Sequence, residues 1–347
     1  METDFTLNLL KWNENANRRP MPWKGETDPY RVWLSEVMLQ QTRVEQGWAY
    51  YEKFIKTFPT VHDLAAAPEE QVFKMWEGLG YYSRCRNLLV TAKYISFELD
   101  GKFPGTYVDI LKLKGIGPYT AAAIASFAFN EAKAVVDGNV QRVLARYFGL
   151  STPINSPQGK KMFALLAQSL IDEKAPAVYN QAIMDFGATV CKPKNPLCTI
   201  CAEAADCEAF RHGFVRSLPV KNKLPGKRTR WFYYFLIEVG DKVYLRKREA
   251  KDIWQNLHEF VLLEKDEPDE DPAKDFLPGL LQQSYTIAHV SDPQSQQLTH
   301  QRINGRFLVV KIVAEAVIPG NYALVEKSAL SKFAFPKFIT SYLDKQH

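Results

Sequence analysis

Apolar positions in this chain follow two different periods. Through roughly the first 210 residues they recur at helical spacing, and beyond about residue 230 they form short strand-like runs. Asp28-Pro29 predicts a helix start, with a capping side chain followed by proline at the first helical position. Behind it Tyr30, Trp33, Leu34, Val37 and Met38 fall at helical spacing. Further helices are predicted over 70–76, 83–99, 120–128, 140–147, 160–171 and 179–189, punctuated by Gly78-Leu-Gly80, Phe103-Pro-Gly105 and Gly115-Ile-Gly117. Strands are predicted over 231–239, 243–246, 260–263 and 307–316. Between the two textures runs a basic stretch with Pro219 and Pro225 and no apolar period, the signature of an exposed linker. The pattern divides the chain into a helical domain over 1–213, a linker over 214–228 and an α/β domain over 229–347.

Composition adds limits. At 347 residues the chain is long enough for two cores, and no apolar run approaches the roughly 20 residues that span a bilayer. The opening Met1-Glu-Thr-Asp-Phe lacks the basic-then-apolar pattern of a secretion signal, so a cytoplasmic protein without a membrane partner is expected. A net charge of +5 and a pI near 8.7 permit a nucleic-acid partner without establishing one.

The cysteines are more telling. Cys85 stands alone and reads as a small buried residue, while Cys191-x6-Cys198-x2-Cys201-x5-Cys207 gathers four thiols within 17 residues. In a reducing compartment that cluster points to a metal centre rather than to disulfides. On chemistry alone it suits either zinc or a [4Fe–4S] cluster.

Two carboxylates also stand out. Asp137 follows the Gly115-Ile-Gly117 turn by about twenty residues; it can cap the helix beginning near Val140, or face a developing positive charge, or both. Glu36 lies on a helix in which seven of the ten residues from Tyr30 to Leu39 are apolar. Burial there raises a carboxyl pKa toward neutrality, as a general acid requires, whereas an ion pair with Arg31 leaves it purely structural.

The string Pro22-Trp-Lys…Asp28-Pro-Tyr-Arg-Val-Trp-Leu-Ser-Glu36-Val-Met-Leu-Gln-Gln41-Thr closely resembles the N-terminal signature of the MutY family of adenine DNA glycosylases. The resemblance continues through Gly78-Leu-Gly-Tyr81-Tyr-Ser-Arg, the turn, Val136-Asp-Gly-Asn139-Val, Tyr179-Asn-Gln181-Ala-Ile-Met-Asp-Phe-Gly187 and the cysteines. It implies a mainly α helix–hairpin–helix glycosylase domain of the endonuclease III superfamily, with Gly115 and Gly117 in the DNA-binding hairpin. It implies a [4Fe–4S] cluster on Cys191, Cys198, Cys201 and Cys207. By the same resemblance Glu36 protonates adenine, Asp137 stabilises the sugar cation, and Tyr119 and Asn139 support it. Bifunctional members carry a lysine where this chain has Tyr119, which implies hydrolysis without strand cleavage. Gln41 and Tyr81 match residues wedged into DNA, and Arg19, Lys24 and Gln181 match residues lining the adenine pocket.

The C-terminal part resembles a nudix-like α/β domain but lacks the glutamate-rich metal-binding helix of nudix hydrolases. In the MutY family this domain reads 8-oxoguanine through a Phe-Ser-His loop. The matching string here is Leu298-Thr299-His300, with leucine in place of the aromatic ring. The implied partner is duplex DNA with adenine opposite 8-oxoguanine or guanine, bound by a monomer at the nucleoid. Two rival readings are a thymine mismatch glycosylase, which shares the hairpin tyrosine, and a mismatch-binding protein without catalysis. Glu36 and the appended domain oppose the first. The pair Glu36 and Asp137 opposes the second, since neither carboxylate helps to hold a polyanion.

Overall fold

The computed structural model describes residues 2–21, 24–42, 44–223 and 226–345; Pro22 and Trp23 of the N-terminal string lie outside them. The helices in chain order are α1 (Glu2–Asn15), α2 (Pro29–Leu39), α3 (Val44–Thr57), α4 (Val61–Ala66), α5 (Glu69–Trp76), α6 (Tyr82–Glu98), α7 (Tyr107–Ile110), α8 (Pro118–Phe129), α9 (Gly138–Tyr147), α10 (Pro157–Leu170), α11 (Pro176–Thr189), α12 (Glu208–Arg211), α13 (Phe276–Leu280) and α14 (Lys337–Leu343). The strands are β1 (Arg228–Val239), β2 (Lys242–Lys247), β3 (His258–Glu259), β4 (Val261–Lys265), β5 (Tyr285–Val290), β6 (Gln294–Gln297), β7 (Gln301–Ile312) and β8 (Ala323–Glu326). No helix among the described residues is long and apolar enough to cross a membrane.

Two compact units result: Met1–Ala66 with Asn87–Leu224, and Ala67–Arg86 with Pro225–His347. The first is helical. Phe5 and Leu9 of α1 pack with Val140, Val143 and Leu144 of α9, Phe163 of α10 and Phe186 of α11, and three of the clustered cysteines lie against this core. Capping sets where its helices begin. Asp28 Oδ1 accepts from the Tyr30 and Arg31 N–H groups, and Ser156 Oγ from that of Gly159, each ahead of proline at the first helical position. The sequence reading gave no helix for α1 or α3, where one narrow buried stripe leaves most of the surface polar.

The second unit is built on a mixed sheet ordered β3-β2-β1-β7-β5. Its centre is the long parallel pairing of β1 with β7, from Arg228↔Gln301 to Glu238↔Lys311. One face buries Tyr233, Phe235 and Ile237 with Leu277, Leu308 and Val310. The other stacks Tyr234 and Tyr342 on Phe307. The strand predicted over 307–316 begins earlier and ends at Ile312, and Phe260 falls between β3 and β4. Strands β5 and β6 escaped the pattern because β5 is exposed along most of its length and β6 reads Gln-Ser-Gln-Gln; backbone pairing to β7 makes them strands.

The Gly115-Ile-Gly117 turn leads into α8, and its two glycines meet different constraints. Gly115 has a φ of +76°, and a Cβ there would lie 2.4 Å from Asn87 Cβ on α6. Gly117 is the α8 N-cap at an ordinary φ of −95°, and a Cβ there meets nothing within 4 Å. Gly115→Ala should therefore destabilise the protein by at least about 1–3 kcal/mol in thermal or urea melting, from backbone strain alone. Gly117→Ala should melt within about 0.5 kcal/mol of the native chain.

Candidate active site

Four helix segments of the first unit frame a cavity of about 430 Å³. Helix α2 lends it the stripe Val32, Ser35, Glu36 and Leu39, one turn apart along one face. The start of α8 supplies Tyr119, the start of α9 supplies Asp137 and Asn139, and α11 supplies Gln181. Arg19 and Lys24, from the segment before α2, complete the wall. The sequence-predicted residues Arg19, Lys24, Glu36, Tyr119, Asp137, Asn139 and Gln181 thus share one cavity. Gln40 Nε2 ties α2 to α8 by donating to Thr120 Oγ1 at 2.8 Å.

Glu36 is 6% exposed. Burial pushes its carboxyl up to about 7; a hydrogen bond with Tyr119 opposes this and the nearby Asp137 charge adds to it. Arg31 is not its partner: that guanidinium pairs with Glu26 at 3.4 Å. Burial also raises the Tyr119 phenol well above its usual range, with the Glu36 and Asp137 charges adding to it, so the phenol keeps its proton near neutrality.

Asp137 is the N-cap of α9. Its Oδ1 accepts from the Asn139 and Val140 N–H groups, both at 2.8 Å, and its Oδ2 from Asn139 Nδ2 at 2.6 Å. Burial raises its pKa, against the pull of those donors and of Arg142. Asn139 is held in turn: Arg142 Nη2 donates to its Oδ1 at 2.9 Å and to the Gly187 carbonyl at 2.7 Å. Arg142 Nε reaches the Cys191 carbonyl at 2.8 Å.

Three supporting residues had no role in the sequence reading. Arg142 is one. Asn180, 1% exposed, accepts from the Val135 N–H and donates to Ser126 Oγ and the Lys133 carbonyl, fixing the segment that leads into Asp137. Asp185, fully buried, gathers Arg19, Lys24 and Gln181. Asn180 and Asp185 stand in the string over 179–187 that carries the family resemblance and Arg142 on the apolar-striped α9, but nothing local marks the supporting role of any of them.

Cys191, Cys198, Cys201 and Cys207 line one small cavity with Arg146, although they form no preassembled metal-binding group among the described residues. Arg146 holds this loop: Nη1 contacts Cys191 Sγ at 3.4 Å and donates to the Lys192 carbonyl at 2.8 Å, while Nη2 reaches the Pro193 carbonyl. Burial pushes up the thiols of Cys198, Cys201 (to about 12) and Cys207, and proximity to Cys191 adds to each. Four cysteines around one cavity can release their protons together only in exchange for a shared cation, so this donor set suits a metal centre. Cys85 is fully buried elsewhere, as expected for a packing residue.

The remaining predicted positions divide between the units. Gln41, just after α2, has a φ of +57° and Tyr81, just before α6, a φ of +48°. Left-handed backbone at two non-glycine residues costs of order 1 kcal/mol or more each and concentrates at functional positions. In the second unit, Leu298, Thr299 and His300 form the tip of the β6–β7 hairpin, where the Leu298 N–H donates to the Gln301 carbonyl. They line a cavity of about 510 Å³ with Tyr81 and Trp254, and the Tyr81 hydroxyl lies 2.9 Å from Thr299 Oγ1.

Two family models match the chain. Residues 34–170 match the HhH-GPD superfamily of base excision DNA repair proteins, and residues 233–345 match the NUDIX domain. The adenine DNA glycosylase of Buchnera aphidicola subsp. Baizongia pistaciae is 37% identical over 254 residues, covering 73% of this chain and 72% of that protein. The chain belongs to the adenine DNA glycosylase family. Its helical unit has the helix–hairpin–helix glycosylase fold and its second unit is nudix-like, in line with the fold class expected from sequence. The human adenine DNA glycosylase is 43% identical over 233 residues, 65% of this chain and 42% of that protein. Among solved structures, a thermostable thymine-DNA glycosylase superposes with a TM-score of 0.57 at 30% identity, covering 61% of this chain and 97% of that one. A trapped endonuclease III–DNA covalent intermediate shares the fold at a TM-score of 0.53 and 19% identity over 61% of this chain and 98% of that one.

The raised carboxyl in this family member has a stability consequence. Folded Glu36 keeps its proton up to about pH 7, whereas an ordinary glutamate releases it near 4.5. Between those values the folded state binds the extra proton, so this group's contribution falls as pH rises. The loss amounts to something on the order of 3 kcal/mol. Urea unfolding from pH 4.5 to 7.5 should show Glu36→Gln gaining stability relative to the native chain across that window, with the two closest at its acid end.

Proposed function

We propose that this chain is a monofunctional adenine DNA glycosylase that hydrolyses the N-glycosidic bond of adenine opposite 8-oxoguanine or guanine. On this reading it works as a monomer in the cytoplasm, on nucleoid DNA, in base excision repair. The observation that carries it is a buried carboxyl, pushed up to about 7, bonded to the Tyr119 phenol in the cavity that also holds Asp137. One group that is an acid near neutrality and a second carboxylate in a different environment are what glycosidic cleavage requires.

The target adenine first leaves the duplex, at a cost of a few kcal/mol in unstacking. Gln41 and Tyr81 each serve as a wedge against the duplex, and backbone N–H groups at the start of α8, after Gly115 and Gly117, hold a phosphate. Arg19, Lys24 and Gln181 receive the base. Glu36 then gives its proton to adenine N7, the C1′–N9 bond breaks, and its electron pair leaves with the base. Asp137 stabilises the resulting sugar cation, with Tyr119 and Asn139 supporting it. Water adds at C1′ and returns a proton to Glu36, leaving free adenine and an abasic site. Residue 119 offers no amine, so no Schiff base forms there and the strand stays intact. Cys191, Cys198, Cys201 and Cys207 would hold a [4Fe–4S] cluster, which would tie together the loop that Arg146 clamps. Thr299 and His300 read the opposing 8-oxoguanine by hydrogen bonding, and the nudix-like unit hydrolyses no nucleotide.

The test uses an end-labelled duplex with one adenine opposite 8-oxoguanine or guanine, scored before and after alkali. The native chain should give breakage at adenine only after alkali, and Glu36→Gln should lose at least about 100-fold in rate. Because the acid form is required, the native single-turnover rate should fall as pH rises through about 7. Binding without breakage would support the mismatch-binding alternative, and breakage without alkali would mean that a lysine elsewhere acts as a lyase. Separately, the purified protein should carry four irons per chain, and Cys198→Ser should lower iron content and melting temperature together; a zinc-only protein would overturn the cluster assignment.

A further inference from the structure

Behind the wall of the base cavity, Asp185 of α11 is fully buried and takes four hydrogen bonds, two on each oxygen. Its Oδ1 accepts from Arg19 Nη1 and Gln181 Nε2, both at 2.9 Å, and its Oδ2 from Asn17 Nδ2 at 2.8 Å and Lys24 Nζ at 3.2 Å. A carboxylate carrying four donors, two of them cationic, offers acceptors only. That chemistry decides which end of the Gln181 amide can face it. The nitrogen must turn to Asp185, so the carbonyl oxygen is left for the cavity that Gln181 lines.

The geometry points to Asp185 as the positioning residue that sets base selectivity by locking the Gln181 amide with its oxygen toward the base. The inference rests on the glycosylase reading above and names how the pocket chooses its base. An acceptor at that position pairs with the exocyclic amino group of adenine. It repels hypoxanthine, which carries a carbonyl at the same ring position on a base of nearly the same shape. A pocket that pairs a polar group of its substrate rejects the analogue lacking it more strongly than size alone allows.

The experiment measures single-turnover release of adenine and of hypoxanthine, each opposite 8-oxoguanine, by the native chain and by Asp185→Asn. An asparagine there can donate to the Gln181 oxygen and turn the amide over, presenting a donor to the base. The native chain should favour adenine, and Asp185→Asn should lower the adenine-to-hypoxanthine ratio at least 10-fold. In a Gln181→Leu background Asp185→Asn should leave the ratio where it is, because Asp185 acts through that amide. Equal slowing of both substrates would show a merely structural role and overturn the inference while leaving the glycosylase reading intact. Should Asp185→Asn not fold, the remaining arms decide: a native chain without preference for adenine, or an unchanged preference in Gln181→Leu, overturns it. No release of either base by the native chain would overturn both readings.

Discussion

The cap on α9 organises the helical unit around its cavity. A helix start leaves N–H groups without partners, and here Asp137 takes two of them while also accepting from the side chain of Asn139. Asn139 is bound on its other side by Arg142, and Arg142 is bound to the Gly187 and Cys191 carbonyls. The contact between α9 and α11 tolerates no extra atom: a Cβ on Gly187 would fall 2.7 Å from Asn139 Cβ. The cysteine loop, the α9–α11 crossing and the proposed cation-stabilising carboxylate are thus parts of one hydrogen-bonded chain.

The two carboxyls of the cavity are buried in different ways, and the difference gives them different chemistry. Glu36 projects from the middle of α2, where backbone N–H groups are already engaged in the helix, so Tyr119 alone offsets its desolvation. Asp137 sits at a helix start with three close donors and the favourable end of the helix dipole beside it. The same residue chemistry therefore yields a ready proton donor at one position and a hydrogen-bonded acceptor at the other. Interchanging the two environments would undo the proposed division of labour between an acid and a counter-charge.

Much of this was legible in the sequence because the informative features are local. The cap Asp28, the cap Asp137, the glycine turn and the four cysteines each declare themselves within a few residues, and the structure places the first three as read. The buried carboxyl Glu36 was legible as an ambiguity, since periodicity shows that a position is covered but not what faces it. Arg142, Asn180 and Asp185 were not legible as supports. The Asp185 partners Arg19 and Lys24 lie 166 and 161 residues away, so its role arises only when α11 meets the segment before α2. The strands β5 and β6 were missed for a related reason, being defined by a backbone partner rather than by their own side chains.

Strain has a similar logic. Gln41 and Tyr81 both follow ordinary sequence, and neither is asparagine or glycine, yet both adopt left-handed backbone. A chain avoids that cost where a glycine serves as well, as it does at Gly78 and Gly80 beside Tyr81, whose φ values are also positive. At Gln41 and Tyr81 the left-handed backbone projects a large side chain in a direction that relaxed backbone does not offer. Inside the second unit Tyr81 meets Thr299 at the tip of the β6–β7 hairpin, so the strained tyrosine and the proposed 8-oxoguanine reader share one cavity. The Thr299 hydroxyl supplies that contact, and Leu298 takes no part in it.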